Sequence, residues 1–334
     1  MTAPHPPFSP PRGLRSAFLQ SYMASFRLRR RLNSRRHPGL DRASQRHVVD
    51  AGQGVRLEAH ISLQQGEPLG RVILLHGWEG SHDSIYLHSL GCHLYAHGFA
   101  VGRLNLRDHG GTHALNKEPF HSARMDEVFG GLAAVNSLLG DAPFSLVGFS
   151  LGGNFTLRAA LGAPLQGLPM QQAIAVNPVM DPLKTAEALD RSVLYRRYFH
   201  DKWLKTVNAR VRAWPEGPDY ADLKDSSSFV EISRRFVTRY CGFDSLEDYF
   251  AEYTLTPDFL AELRTPSLIV SARDDALVPV EDAEALAEHP AVDLLLPERG
   301  GHCGYVENLR LESWLEPVLR HRLESGLPRG AAAA

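Results

Sequence analysis

The stretch LVGFSLGGNF, residues 146–155, decides the fold, because it places three glycines around one serine at the end of an apolar run. Residues 143–149 predict a buried strand, and residues 151–162 predict a helix. In a Gly-x-Ser-x-Gly elbow the serine lies in the sharp turn between such a strand and helix, and its hydroxyl projects clear of the backbone. Gly148 and Gly152 remove side chains that would collide in so tight a bend. The pattern therefore predicts that Ser150 is a nucleophile.

Strands and helices are predicted to alternate on both sides of this elbow. Apolar runs typical of buried strands occur at 71–77, 100–106, 172–178, 267–272 and 291–296, and helical periodicity at 84–97, 122–139, 280–288 and 308–323. Two short strands around a glycine turn are predicted within 47–62. Because alternating strands and helices build parallel sheets covered on both faces, we predict an α/β fold with a mostly parallel central sheet and helices on both sides.

One long segment interrupts this alternation, because residues 179–264 are helical, aromatic and charged. An insertion at this point hangs over the carboxyl ends of the strands, above Ser150, so we predict a helical cap. Its aromatic side chains could line an apolar channel or form the core of the cap itself, and both possibilities remain open. The predicted organisation is a basic leader at 1–46, a core at 47–178 and 265–323 around the cap, and a disordered tail at 324–334.

A serine nucleophile needs a base, and the base needs an acid that orients it. In this type of fold the acid and then the histidine follow the serine along the chain. The histidines after Ser150 are His200, His289, His302 and His321. Only His302 lies in a glycine-rich loop after the last predicted strand, in ERGGHCGY, where an imidazole could reach over the strand ends. We therefore predict His302 as the base.

The acid is predicted in SARDDALVP, which directly follows a strand. Asp274 and Asp275 compete for this role, and we favour Asp275 although the sequence leaves both open. Two backbone N–H groups should stabilise an oxyanion: that of Leu151, next to the nucleophile, and that of Trp78, in the loop after the strand at 71–77.

Composition excludes several classes of protein. The net charge of −2 argues against a protein that binds nucleic acid with its whole surface, and no apolar run approaches the length of a membrane span. The first residues, MTAPHPPFSPP, lack the apolar core of a secretory signal. Three widely spaced cysteines do not suggest a disulfide framework, so a cytoplasmic location is expected.

Charge is unevenly distributed along the chain. Residues 1–46 contain ten arginines and one acid, whereas the rest of the chain carries 26 basic and 37 acidic residues. Phe18, Tyr22 and Phe26 are spaced four apart, which predicts an apolar stripe on a helix. This helix could rest on anionic lipid, peripheral to the inner membrane face, or dock on the core with its arginines in solvent; we favour docking.

Other polar clusters are interpreted as structural. His88, His93 and His97 share one predicted helix, but neither a third ligand at suitable spacing nor a general-base glutamate accompanies the His93–His97 pair, so we predict no metal site and no organic cofactor. His76 is predicted to shape its loop. Asp108, His109 and His113 follow a strand and could wall a pocket or lock the loop by hydrogen bonds; we favour locking.

Taken together, HGWEGSHDSIY, RLNLRDHG, GFSLGGNFTLR, ARDDALVP and GGHCGY resemble the YheT-like branch of the α/β-hydrolase superfamily. The resemblance extends over roughly residues 12 to 322. It implies a serine carboxylesterase with Ser150, Asp275 and His302 as its triad, acting on short-chain or monoacylglycerol-type esters. A lyase or perhydrolase on the same scaffold, or a binding module without catalysis, are the alternatives, because a fold does not fix a function.

Overall fold

A computed structural model describes residues 7–327 and contains one mixed sheet of eight strands within that range. The strands are β1 Ser44–Asp50, β2 Arg56–Ser62, β3 Gly70–Leu75, β4 Phe99–Asn105, β5 Phe144–Phe149, β6 Met170–Val176, β7 Ser267–Val270 and β8 Val292–Leu295. They are arranged in the order β1-β2-β4-β3-β5-β6-β7-β8. β1 and β2 pair antiparallel, β2 meets β4 antiparallel, and all later pairs are parallel. The predicted fold class is confirmed.

Thirteen α-helices occur in the described part of the chain. They are α1 Ala17–Ala24, α2 Arg27–Arg36, α3 Leu40–Ala43, α4 Ile85–Ala96, α5 Met125–Leu138, α6 Leu151–Gly162, α7 Pro182–Arg191, α8 Val193–Ala213, α9 Ala221–Lys224, α10 Phe229–Tyr240, α11 Leu246–Ala251, α12 Val280–Glu284 and α13 Leu315–Ser325. A short 3-10 helix, Arg12–Leu14, precedes them. No helix within residues 7–327 combines the length and the apolar character needed to cross a membrane.

The two faces of the sheet are covered by different helices. On one face, Leu132 of α5 and Phe155 of α6 are fully buried against the strands. On the other face, Leu90 of α4 and Leu319 of α13 pack in the same way. Burial of this kind contributes roughly 25 cal/mol per Å² of apolar surface, so the central strands are the most strongly held part of the molecule.

Three boundaries near the chain ends and in the second half of the core differ from the predictions. The helix predicted at 308–323 begins only at Leu315, because the preceding segment forms an isolated antiparallel bridge between Val306 and Ser313. The helix predicted at 280–288 ends at Glu284, after which single turns follow. The predicted tail of 324–334 starts inside α13, and its residues 328–334 lie outside the described part of the chain.

The two longest helices of the basic leader, α1 and α2, dock on the core and are separated by a break at Ser25 and Phe26. The face that docks is not the predicted aromatic stripe: Phe18 and Tyr22 are 43% and 54% exposed, whereas Gln20 is fully buried. The Gln20 amide donates to the carbonyl of Val306 and accepts from its N–H. Gln20 therefore completes backbone hydrogen bonds of a chain segment outside the sheet, while Leu19 and Met23 of the same helix pack against Val306 and Leu311.

One leader arginine is also buried, contrary to the prediction that these side chains are solvated. Arg29 is 2% exposed and forms a salt bridge of 3.2 Å with Glu316 of α13. Most of the others, including Arg12, Arg15, Arg27, Arg31 and Arg35, are exposed. Burial of an arginine is tolerated when carboxylate and carbonyl oxygens accept hydrogen bonds from its guanidinium. Glu316 and the carbonyl of Leu311 do so for Arg29.

Helices α7 to α11 lie between β6 and β7 and carry the aromatic residues of the predicted cap. The outer parts of the segment 179–264 belong to the packing of the sheet: Met180, Leu255 and Leu260 are buried with side chains of β6 and β7. The Asn154 amide, on α6, donates to the carbonyls of Val179 and Tyr253. Both ends of the cap segment are therefore hydrogen-bonded to α6, the helix that directly follows Ser150.

Candidate active site

Ser150 lies at the bend between β5 and α6, as the elbow pattern predicts. Its backbone has φ 54° and ψ −121°, which is a strained conformation for a residue with a side chain. A Cβ on Gly148 would lie 2.1 Å from the carbonyl oxygen of Gly152, and a Cβ on Gly152 would lie 2.4 Å from that of His76. The two glycines are therefore required by contact distances, since any side chain would push the elbow apart.

His302 lies beside the serine, on the loop after β8. Its Nε2 is 2.8 Å from the Ser150 hydroxyl, and its Nδ1 is 2.8 Å from a carboxylate oxygen of Asp275. Because an ionised carboxylate only accepts hydrogen bonds, Nδ1 carries the proton and Nε2 is free to accept from the serine. The structure therefore brings three predicted residues, distant in sequence, into one hydrogen-bonded chain.

Asp274 and Asp275 face different groups. Asp275 is contacted by His302 and by the Asn177 amide at 2.7 Å, while its other oxygen accepts the N–H groups of Leu277 and Val278. Asp274 instead accepts the N–H of Gly301 at 2.8 Å, and burial raises its pKa. Of the two carboxylates that the sequence left open, Asp275 is the one in contact with the imidazole.

The two predicted oxyanion donors lie on either side of Ser150. Leu151 is the first residue of α6, and Trp78 follows Gly77, where an added Cβ would lie only 3.0 Å from the Cβ of Ser150. Within the described residues neither N–H has a hydrogen-bond acceptor. Both residues line the cavity that contains Ser150 and His302. Two free donors beside a serine hydroxyl can stabilise negative charge on a bound oxygen.

The cavity above Ser150 has a volume of about 180 Å³ and an apolar wall. Eight of the cap's aromatic side chains line it: Phe199, Trp203, Tyr220, Phe229, Phe236, Tyr249, Phe250 and Tyr253. Tyr195, Tyr198, Trp214 and Tyr240 do not, so the cap aromatics divide between a channel and other packing. An apolar chamber over a nucleophile suits an acyl chain.

Charged groups are also present in this chamber. Asp108 pairs with Arg210 at 2.6 Å, and burial raises the pKa of the carboxyl. Burial also raises the pKa of Glu79 to about 7, although a hydrogen bond from Thr206 and the charge of Lys202 oppose that rise. Glu79 therefore changes its charge near neutral pH inside a mostly apolar cavity.

His76, His109 and Asp108 make hydrogen bonds that hold the loops, whereas Nε2 of His113, for which the same role was predicted, has no hydrogen-bond partner among the described residues. His76 donates from Nδ1 to the carbonyl of Gly77, and its Nε2 accepts the N–H of Leu106. His109 accepts the N–H of Glu79, and Asp108 accepts that of Phe120. Asp108 and His109 also line the cavity, so the same side chains hold the loops by hydrogen bonds and form part of the cavity wall.

Two positioning residues were not predicted from the sequence. Asn177 lies at the end of β6, where it donates to Asp275 and accepts from the hydroxyl of Tyr305. Ser21 of α1 accepts the N–H of His302 at 2.8 Å and the hydroxyl of Tyr195 at 2.9 Å. A polar residue at the carboxyl end of a buried strand could have indicated Asn177, but Ser21 comes from a segment without any motif.

Comparison with known proteins places this arrangement in a family. The model of the alpha/beta hydrolase fold matches residues 70–240, just over half of the chain. The chain belongs to the α/β-hydrolase fold family. Among solved structures, this α/β hydrolase is similar to the Pyrococcus furiosus esterase Pf2001, with a TM-score of 0.53 and 15% identity over 85% of this chain and 89% of that one.

Similarity to individual relatives indicates which branch of the family the chain resembles. The chain is 26% identical to the putative esterase YheT of Escherichia coli over 81% of its own length and 82% of that protein. It is 24% identical to the human phospholipase ABHD3 over 78% of its length, but spans only 64% of that protein. A putative esterase of Synechocystis is 26% identical over 91% of this chain. These similarities confirm the predicted YheT-like branch of the α/β hydrolases.

Proposed function

We propose that this protein is a serine hydrolase that cleaves carboxylic esters of short- to medium-chain acyl groups. The observation that carries the proposal is the chain of 2.8 Å hydrogen bonds from Ser150 through His302 to Asp275 at the wall of the apolar cavity. The names of the relatives, which include esterases, a phospholipase and the human monoacylglycerol lipase ABHD2, support the same reaction class.

The chemistry follows the geometry of these three side chains. As the Ser150 oxygen attacks the ester carbonyl, Nε2 of His302 takes the hydroxyl proton, and Asp275 stabilises the imidazolium. The N–H groups of Leu151 and Trp78 hold the negative oxygen of the tetrahedral intermediate; removal of one such donor costs roughly 100- to 1000-fold in turnover. The imidazolium then gives its proton to the departing alcohol, and an acyl-enzyme remains.

Water completes the cycle by the same route. His302 takes a proton from water as the oxygen attacks the acyl-enzyme, and the collapsing intermediate releases the acid and returns the proton to Ser150. The cavity of about 180 Å³ offers an acyl chain an apolar wall next to Ser150.

Hydrolysis of p-nitrophenyl butyrate tests this proposal. We expect activity in the purified chain, its loss in Ser150→Ala, and labelling by a fluorophosphonate probe at Ser150 alone. Mass spectrometry of the products should give the free acid and alcohol, which separates hydrolysis from lyase or perhydrolase chemistry. Equal turnover by the wild type and Ser150→Ala would overturn the assignment.

We also propose that the protein meets its substrates at an anionic lipid surface. Phe18 and Tyr22 of α1 and Val193, Leu194 and Tyr198 of α8 are 43% to 67% exposed, and we call them the α1–α8 patch. The two helices are adjacent, since the rings of Phe18 and Tyr195 lie 5.8 Å apart. Exposed Arg15 and Arg27 flank α1 on either side along the chain, and exposed Arg197 belongs to α8. Apolar side chains among arginines favour contact with anionic headgroups.

Flotation with lipid vesicles tests the surface contact separately from catalysis. We expect binding to phosphatidylcholine vesicles that contain phosphatidylglycerol, weaker binding to pure phosphatidylcholine, and loss of binding in the double variant Val193→Ser/Leu194→Ser. Leu165→Ser is the matched control, because Leu165 is 90% exposed in a turn away from both helices. Equal flotation of the double variant and the wild type would contradict the proposal.

A further inference from the structure

Three histidines meet at the far end of α4, outside the site of Ser150. His93 and His97 belong to the end of that helix, and His37 follows the last residue of α2. Each offers one ring nitrogen, and these three nitrogens lie within 4.8 Å of one another. The sequence shows only the pair on α4; the third ring enters through the docking of the leader, which brings α2 against α4.

The hydrogen bonds of these rings leave ligand atoms free. Nδ1 of His97 donates to the carbonyl of His93 at 2.7 Å, which fixes its tautomer and leaves Nε2 with a lone pair. His93 is 7% exposed, and its Nε2 has no hydrogen-bond partner among the described residues. An unpartnered buried nitrogen costs free energy, so a ligand that accepts its lone pair would be favoured.

Burial disfavours the charged forms of His93 and His37. Burial and the two neighbouring imidazoles lower the pKa of His93 to about 3, and burial lowers that of His37. The nearby cations Arg36 and Arg320 are each paired with a carboxylate, Glu312 at 3.5 Å and Glu324 at 2.6 Å. A divalent cation would therefore meet two rings, His37 and His93, whose protonation is disfavoured, and two arginines that already have carboxylate partners.

From this geometry we infer that His37, His93 and His97 form a binding site for a divalent transition metal such as Zn²⁺. Three imidazoles are ligands that Zn²⁺, Co²⁺ and Ni²⁺ accept, with a fourth position left for water. Bonds of about 2.0 Å would hold the nitrogens roughly 3.3 Å apart, so the rings must close in on the ion. His37 lies outside a helix and is half-buried, which allows its ring to turn.

The position of the site indicates a structural role. α4 begins near the catalytic loop, where the hydroxyl of Tyr86 accepts the N–H of Gly77, and its 12 residues extend roughly 18 Å to the opposite edge of the sheet. An ion there would fasten α2 to α4. We therefore expect it to stabilise the docked leader, and to leave the chemistry at Ser150 unchanged.

A second cluster, Glu58, His60 and His82, provides the comparison. Its atoms are also within ligand distance of one another, but Glu58 already accepts from Arg46 at 2.6 Å and from Asn105 at 3.0 Å. Nδ1 of His82 is likewise hydrogen-bonded to the amide nitrogen of Asn105 at 3.1 Å. This cluster is internally satisfied, so His82→Gln is the matched control for a lost histidine.

The test uses the full chain after treatment with EDTA and dialysis. Titration with Co²⁺ should produce visible d–d bands that saturate at one ion per chain, and calorimetry with Zn²⁺ should give the same stoichiometry. At Zn²⁺ well above its dissociation constant, the melting temperature should rise by several degrees, since the ion binds only the folded state. Turnover of p-nitrophenyl butyrate should be the same with and without the ion.

Substitution of each histidine tests whether that residue binds the ion. His37→Gln and His97→Gln, neither of them at a buried position, should weaken Zn²⁺ binding at least ~10-fold and abolish the thermal shift, whereas His82→Gln should keep both the binding and the shift. His93→Gln should also weaken Zn²⁺ binding and abolish the thermal shift. The melting temperature of this variant without metal reports whether the protein still folds with glutamine at the buried position. Absence of saturable binding to the wild type, or binding that survives His37→Gln and His97→Gln, would overturn the inference.

Discussion

Adjacent aspartates with different partners allow a sharp test at the scale of single residues. Asp275 touches the imidazole, whereas Asp274 accepts the N–H of Gly301. We expect Asp275→Asn to lower kcat for p-nitrophenyl butyrate by roughly 10⁴-fold, because the amide favours the wrong tautomer of His302. Asp274→Asn keeps an oxygen for Gly301 and should lose less than ~10-fold. Steady-state kinetics of both variants measure this difference, and a larger loss in Asp274→Asn would reverse the assignment.

Glu79 gives a prediction about pH. Its pKa is about 7 in the folded protein and near its usual 4.5 when unfolded, so the folded state binds more protons between these values. The contribution of this carboxyl to stability is therefore complete below pH 4.5 and is lost as the pH rises through about 7. We expect Glu79→Gln to raise the melting temperature relative to wild type at pH 8, and to change it little at pH 5.

The control for Glu79→Gln removes a negative charge from an exposed carboxylate instead of a buried one. Glu67 is 82% exposed, so Glu67→Gln should show the same small shift at both pH values. Thermal melts of the three proteins across this range decide the matter. If the effect of Glu79→Gln does not depend on pH, ionisation of Glu79 is not what destabilises the folded chain.

At the scale of elements, the cap should select the length of the acyl chain. Val207 of α8 is 5% exposed and lines the cavity, so Val207→Phe reduces the room above Ser150. Exclusion of two methylenes loses about 1.6 kcal/mol, or roughly 15-fold in binding. We therefore expect kcat/KM for the hexanoyl ester to fall roughly 10-fold or more, while that for the acetyl ester changes less than ~3-fold.

Asn208→Phe is the matched control for this cavity variant, because its side chain is exposed on the same helix. It adds an aromatic ring without filling the chamber, so the chain-length profile should remain that of the wild type. An identical profile in Val207→Phe would mean that α8 does not set the length of the acyl chain.

Sequence patterns predicted the elements that repeat or obey a motif. Ser150 and His302, which the structure brings into contact, could be predicted because the elbow and the order of the triad constrain them, and the sheet strands because their apolar runs are buried on both faces. The face by which α1 docks was not predicted, because a helical stripe does not reveal which partner the helix will meet. Ser21 and His37 were missed for a related reason: each acquires its partners only through packing against distant segments.

At the scale of the whole molecule, a buried ion pair connects the two ends of the described chain. Arg29→Met leaves Glu316 buried without its cation, which typically costs about 3–5 kcal/mol. The double variant Arg29→Met/Glu316→Leu removes both charges and should recover most of that loss. Arg191→Met breaks an exposed pair with Glu187 and should cost at most ~1 kcal/mol. Urea unfolding of the four proteins measures these differences.

An equal loss in the single and double variants would show that packing, rather than the unpaired charge, accounts for the effect. In that case the contacts of Gln20 with Val306 would be the stronger connection between the two ends.

The docking of α1 and α2 also sets an order of events during synthesis on the ribosome. Their partners follow them by 281 to 287 residues: the N–H of His302 for Ser21 and the backbone of Val306 for Gln20, both on α1, and Glu316 for Arg29 on α2. Most of the chain must therefore leave the exit tunnel before the first helices can take their places. Until then their apolar and basic surfaces are available to chaperones, and the nascent protein has no assembled triad.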